Sequence, residues 1–393
     1  DDMRQNFDRV CASDSVAGAL AGSKPRYEIL DGLRGVAAIF VIWFHFGEAF
    51  ATSAVDQMMN HGYLAVDFFF ILSGFVIGYA YDDRWRKGMT ASKFMLRRVI
   101  RLHPMVILGL LLGVAAYLIQ GSVTWDGTPM PLSALLMSLL LGLFLVPILP
   151  GAWCDIRGNN EMFPLNGPTW SLFMEYIGSI LYAVWLHRLS GRGLKAVVGA
   201  SAVGLAVVGL GNFSGSYNVG VGWTLMDYGF VGGFVRMMFA FSVGVLMSRN
   251  FKPIKVRGSF WLCSAILAAV FATPYVGAGS NGEPSVANAC FDQVCTFLVF
   301  PLTVYIGASG VTTDAASTRV CDLLGRLSYP VYVSHYPIMY LFYSWIWANG
   351  YTFAKVWPVC VGLFLVILLL AWVYLKFYDE PVRRYLSQKL LRR

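Results

Sequence analysis

A histidine inside apolar sequence, with an arginine eleven positions ahead of it, is where this chain could do chemistry. Arg34 and His45 lie in the stretch LDGLRGVAAIFVIWFHF, residues 30–46. At about 100° per residue the two fall within about 20° of each other on one helix face, and His45 lies about 16 Å further along the axis. That is roughly halfway through a hydrocarbon layer of about 30 Å. A neutral imidazole there can act as a general base or as a nucleophile, and ionisable residues inside a membrane are functional candidates by default. The plainer alternatives stay open: an Arg34 that only snorkels to the headgroups, and a His45 that only hydrogen-bonds a neighbouring helix. Glu48 follows one turn later.

Other residues of the same kind are spread along the chain. Glu175, in TWSLFMEYIGSILYA, falls about 8 Å below the outer boundary of its helix, where a carboxylate must find a partner or a proton. His335 follows Tyr332 by one turn in GRLSYPVYVSHYPIMYLF, between Pro330 and Pro337, which kink the helix and free backbone carbonyls around a polar cavity. Arg97, Arg98 and Arg101 occur at i, i+1 and i+4 in FMLRRVIRLHPM, so Arg97 and Arg101 share a face while Arg98 points aside. Such a face suits phosphate groups, of a ligand or equally of lipid headgroups. His103, beside Pro104 at the boundary, reads as solvated. Arg236 stands alone inside a hydrophobic segment and requires a carboxylate, with Asp67, Glu175 and Asp227 as candidates. In DFFFILSGFVIGY, Ser73 and Gly74 read as packing residues.

The elements that must hold these residues are transmembrane helices. With 57% hydrophobic and 13% charged residues and a mean hydropathy of +0.60, the chain is an all-α polytopic membrane protein. Apolar runs at 34–52, 62–81, 102–120, 169–187, 196–211, 229–248, 259–277, 291–308, 326–346 and 357–377 predict ten transmembrane helices. A further run near 132–150, bounded by prolines, is decided by charge. As a re-entrant or interfacial segment it leaves both termini cytoplasmic and all but three of the 30 Lys and Arg on the cytoplasmic side, the exceptions being Arg157, Lys355 and Arg236. As a full crossing it would turn most later basic loops outward. Residues 1–32 then form a cytoplasmic N-terminal tail without the architecture of a cleaved signal, 33–378 the membrane domain, and 379–393 a basic amphipathic cytoplasmic tail. The +8 net charge is accounted for by these loops and is no nucleic-acid signal. Seven cysteines without CxxC spacing predict no metal site, and Cys154 with Cys290 is a weak candidate for an external disulfide.

In this order, the motifs resemble those of the bacterial acyltransferase-3 family of integral membrane proteins. They are LDGLRG with the Arg34–His45 spacing, FFFILSGFVI at 68–77, FMLRRVIRLHPM, TWSLFMEY around Glu175, LGRLSYPVYVSHYPI around His335, and YDEPVRRYL. Together they cover nearly the whole length. The family's usual pair of glutamates is represented here by Glu175 alone, with Tyr176 at the second position.

The resemblance implies a multi-pass protein of the bacterial inner membrane that transfers an acyl group, most often acetyl from acetyl-CoA, to a hydroxyl of a glycan or glycoconjugate on the far side. On that reading Arg34, Arg97, Arg98 and Arg101 bind the acyl-CoA phosphates, and His45 is the catalytic base or accepts the acyl group itself. Glu175 relays protons, and Tyr332 or His335 stabilises the oxyanion. Asp67, Trp170 and Arg236 lie toward the acceptor side. Trp153, Trp170, Tyr217 and Trp223 either stack on sugar rings or form an interfacial aromatic belt. The alternative is a proton-coupled transporter or exporter using the buried His and Glu residues, against which stand the missing inverted repeat and the arginines gathered at one end.

Overall fold

Hydrophobic periodicity becomes helix nearly throughout. The computed structural model describes residues 24, 26–312 and 314–391. Cys11 and nearly all of the expected N-terminal tail lie outside the described residues. The helices are α1 (Glu28–Glu48), α2 (Ala65–Trp85), α3 (Ala91–Ile119), α4 (Leu132–Leu143), α5 (Thr169–Val184), α6 (Gly191–Leu210), α7 (Gly229–Asn250) and α8 (Ser259–Ala272). They continue with α9 (Val286–Ala308), α10 (Ala315–Asn349) and α11 (Phe353–Leu390), in which α9 and α11 carry π turns at Cys295–Val299 and Leu375–Asp379. A 3-10 turn, Asn60–Leu64, leads into α2, and two short parallel strands, Val256–Arg257 and Gly310–Val311, join loops on one side.

Seven of these helices are long and apolar enough to cross a membrane: α1, α2 with its leading turn, α3, α6, α7, α9 and α11. The other predicted crossings are also helical, in different lengths. α5 and α8 have 16 and 14 residues, and α10 has 35, its first turns polar. The doubtful run makes only the 12-residue α4, about 18 Å long, and then leaves helical geometry. His103 explains how α4 is held: its Nε2 donates to the Leu143 carbonyl at the end of α4 (2.9 Å). The residue read as solvated is therefore a structural tie.

Two helix pairs place the polar residues. α10 runs along α1, and α2 along α7, each pair brought close by glycine. A Cβ on Gly35 would strike the Leu324 backbone, and one on Gly74 the Phe241 carbonyl. The first seam sets His45 against the middle of α10. The second sets Asp67 against Arg236.

α1 begins at Glu28, several residues before the apolar run, because Asp31 is held there by Arg26 (2.7 Å) and Arg34 (3.0 Å). The helix also stops at Glu48, which puts His45 in its last turn. The expected disulfide is absent: Cys154, buried, and Cys290, exposed, are both free thiols.

Candidate active site

His45 faces α10. Its Nδ1 lies 2.6 Å from Glu48 Oε2, one turn on along α1, and the Tyr343 hydroxyl donates to the same carboxylate oxygen (2.8 Å) and to the His45 carbonyl (2.9 Å). A carboxylate only accepts, so the ring proton sits on Nδ1 and the Nε2 lone pair is left for chemistry. The side chains of His45 and Glu48 are 15% and 35% exposed, so the pair is packed but reachable.

Across the seam, the His335 ring stacks on His45 with centroids 5.3 Å apart, and Tyr336 meets His45 edge-on at 4.8 Å. His335 Nδ1 has only carbonyl neighbours, of Tyr332 (2.8 Å) and Val331 (3.1 Å), so it too carries its proton there. Its buried Nε2 has no partner among the described residues and is an acceptor, which in the neutral ring cannot stabilise an oxyanion. Nor is the Tyr332 hydroxyl free. Ser171 gives its own proton to the Pro168 carbonyl (2.9 Å), so Tyr332 donates to Ser171 (2.6 Å). The Tyr336 hydroxyl makes no hydrogen bond among the described residues, and it is the donor that stands beside His45.

The α10 backbone is fastened to the outer loop by the prolines expected to kink it. Pro337 lacks the N–H that would bond the Val333 carbonyl, and Asn166 Nδ2 takes that carbonyl instead (2.8 Å). Further along, Tyr340 receives the Gly167 N–H (3.0 Å) and donates to Glu161 Oε2 (2.5 Å), while the Arg157 guanidinium lies over its ring at 3.4 Å. Burial pushes the Glu161 carboxyl above the ordinary range, against the pull of Arg157. Past Tyr343, Trp347 stacks at 5.4 Å and bounds a groove of about 400 Å³ with Phe50, Tyr351 and Phe353.

The other expected site residues form separate groups. Glu175 pairs with Arg98 and accepts the Ser73 hydroxyl proton (2.8 Å), so Ser73 is more than packing. Arg98, the arginine that points aside on its helix, points into the protein and also donates to Ser179 (3.1 Å). Tyr176, at the position of the family's second acid, faces His103 Nδ1 at 3.4 Å. Arg236 has found Asp67, through bonds of 3.0 and 2.6 Å, and also serves the carbonyls of Val221 and Tyr63. Both members of that pair are 1% exposed, with Trp170 packed 5.4 Å from the guanidinium. Arg34 keeps its bond to Asp31, and Arg101 is exposed on α3.

Sequence reasoning overlooked Tyr336, Tyr343, Glu161 and Arg157 as neighbours of the site. The α10 residues repeat at three and four positions (Tyr332, Tyr336, Tyr340, Tyr343, Trp347), a stripe that was there to be read. A second buried group was also missed: His61 meets the Thr273 carbonyl (2.8 Å) and Asn288 (3.0 Å), and Asp292 accepts from Tyr63 (2.9 Å). It joins the turn before α2 to the end of α8 and to α9.

Comparison with known proteins gives three kinds of result. A family model described as "Acyltransferase domain" matches residues 27–376. "Protein 2 in picA locus" of Rhizobium radiobacter is 36% identical over 192 residues, which cover 46% of this chain and 94% of that protein. "Acyltransferase MdmB" of Streptomyces mycarofaciens is 25% identical, with 80% of this chain and 79% of that protein aligned. "O-acetyltransferase OatA" of Staphylococcus aureus is 24% identical over 92% of this chain, and the aligned part is only 58% of that longer protein. No solved structure matches.

Proposed function

The chain belongs to the acyltransferase-3 family of membrane proteins, and from that premise we propose that it is an O-acyltransferase. It moves an acyl group, acetyl in the simplest case, from acyl-CoA on the cytoplasmic side of a bacterial inner membrane to a hydroxyl of a glycan or glycoconjugate on the outer side. The names of two relatives, one an acyltransferase and one an O-acetyltransferase, support the reaction class. The observation that carries the reading is the His45–Glu48 bond, with the free Nε2 of His45 beside Tyr336 and His335.

In the reaction, the acceptor hydroxyl approaches from the outer groove near Trp347 and its oxygen attacks the thioester carbonyl carbon. His45 Nε2 takes the hydroxyl proton, and Glu48 stabilises the resulting imidazolium. The carbonyl oxygen, now negative, is met by the Tyr336 hydroxyl in the place first given to Tyr332 and His335. The C–S bond then breaks, and the imidazolium returns its proton to the departing thiolate, leaving an O-acyl ester and free CoA. Arg34, Arg97 and Arg101 hold the donor phosphates about 16 Å along α1 from His45. Arg98 holds Glu175. In this account Asp67, Arg236 and Trp170 shape the wall without touching substrate. The transporter alternative draws on ionisable residues that are largely paired with one another, Arg98 with Glu175 and Arg236 with Asp67.

Replacing Glu48 by Gln keeps the shape and removes the charge that steadies the imidazolium. Initial rates of acetyl transfer in membranes with equal protein should fall about ten- to a hundredfold, the worth of one charge-assisted hydrogen bond. A rate within twofold of the parent would leave His45 without need of its carboxylate.

The topology proposed, ten crossings with both termini cytoplasmic and a membrane domain over 33–378, is checked at Ser190, between α5 and α6. In intact cells an impermeant maleimide should leave Ser190→Cys at the parent's background, and react once the membrane is opened. Labelling from outside would reverse every later loop.

A further inference from the structure

We propose that the helical segment Glu380–Leu390 at the end of α11 is part of the donor site, with its Arg383 closing an anion cradle against Arg101 and Arg34 for the phosphates of the acyl donor. The inference rests on the acyl-CoA reading above and adds a residue and an element to it.

At this end of the protein several guanidiniums are held by carboxylates. Arg34 and Arg26 share Asp31, Arg98 has Glu175, and Arg326 has Glu380 at 2.6 Å. Arg101, exposed on α3, makes no ion pair or hydrogen bond among the described residues, and the guanidiniums of Arg34, Arg98 and Arg383 all act on it electrostatically. Asp31 and Asp379 are the opposite charges within reach.

Arg383 is only half committed. Its Nε lies 3.2 Å from Asp379 Oδ2 but outside hydrogen-bonding geometry, and both that Nε and Arg97 Nε are buried without a hydrogen-bond partner among the described residues. Gathering guanidiniums at the edge of a low-dielectric layer is repulsive unless an anion sits among them. Phosphate oxygens fit, because they accept bidentate bonds from more than one arginine.

The fold brings the two arginines together on purpose-built contacts. The Tyr378 hydroxyl donates to the Pro104 carbonyl of α3 (3.0 Å), one turn beyond Arg101, and Tyr329 of α10 donates to the Leu102 carbonyl (2.6 Å). The π turn Leu375–Asp379 lies between the membrane part of α11 and Arg383 and shifts the register of the last turns. Three helices therefore meet at Arg101.

The test uses the full chain in nanodiscs of neutral lipid only. Adenosine 3′,5′-bisphosphate, the nucleotide end of the donor without thiol or acyl group, serves as probe, and acetyl-CoA is compared with acetyl-pantetheine, which has no phosphate. Arg383→Ala should weaken bisphosphate binding and raise the KM for acetyl-CoA about tenfold, the loss of one charge-assisted contact. Transfer from acetyl-pantetheine should be unchanged, a distinction that a merely structural arginine would not make, and Arg383→Lys should recover part of the loss. Undiminished binding of the bisphosphate by Arg383→Ala overturns the proposal. So does a wild-type chain that ignores the bisphosphate but retains phosphatidylglycerol through Arg383, since the cradle is then a lipid site. A wild-type chain that binds the bisphosphate through Arg383 yet transfers acetyl from neither donor upholds the cradle and refutes the acyl-CoA reading instead.

Discussion

Membranes containing His45→Ala should transfer acyl groups about a thousandfold more slowly than those containing the parent, at equal protein level. The size follows from the role: a positioned general base contributes about 10²–10⁴ to the rate. The fold should survive, because His45 ends its helix and touches its neighbours by ring contact and one bond to Glu48, rather than by a buried ion pair. The measurement is the initial rate of acceptor acetylation, with thermal unfolding of the purified variant as control. A rate above about a tenth of the parent's would remove His45 as the base. Acetyl trapped on His45 in single-turnover quench, appearing and decaying at the rate of transfer, would replace direct attack by an acyl-enzyme.

The second large effect is on stability. Arg236 and Asp67 are each 1% exposed, and removing one leaves the other charged and unpaired in the interior. Such a deletion costs about 3–5 kcal/mol, a large share of the roughly 5–15 kcal/mol that keeps a typical domain folded. Arg236→Met or Asp67→Leu alone should therefore fail to accumulate or should unfold well below the parent in detergent. Together they should recover much of the loss, because an apolar pair of similar volume replaces a buried ion pair at little cost. Recovery should stop short of complete, since the carbonyls of Val221 and Tyr63 also lose a donor. A double variant no more stable than either single one would show that the unpaired charge is not what destabilises the single variants.

How much of this was legible beforehand depended on how each residue is held. An arginine isolated in apolar sequence has to find a carboxylate, so Arg236 pointed to a short set of partners that included Asp67. Hydropathy placed the helices, since burying backbone polar groups in lipid leaves few choices. The start of α1 was misjudged because an apolar window starts where charge stops, whereas α1 runs back through Asp31, whose charge Arg26 and Arg34 neutralise. Spacing on α3 rightly set Arg98 apart from Arg97 and Arg101 but could not say what lay on that side. Glu175, which occupies it, arrives from a helix 77 residues away. Glu161 and Arg157 were beyond reach for a similar reason: they belong to an irregular loop, and only the folded chain brings them over Tyr340. The Cys154–Cys290 pairing failed because proximity in a topology diagram says nothing of the distance between thiols.

The bond between Asn166 and the Val333 carbonyl ties two parts of the molecule to a single missing hydrogen. Any residue but proline at 337 would supply that hydrogen from its own backbone and satisfy Val333 from within the helix, leaving Asn166 to look elsewhere. The rigidity usually sacrificed at a proline is here transferred outward, so that the segment bearing His335 acts as its own latch for the entrance above it.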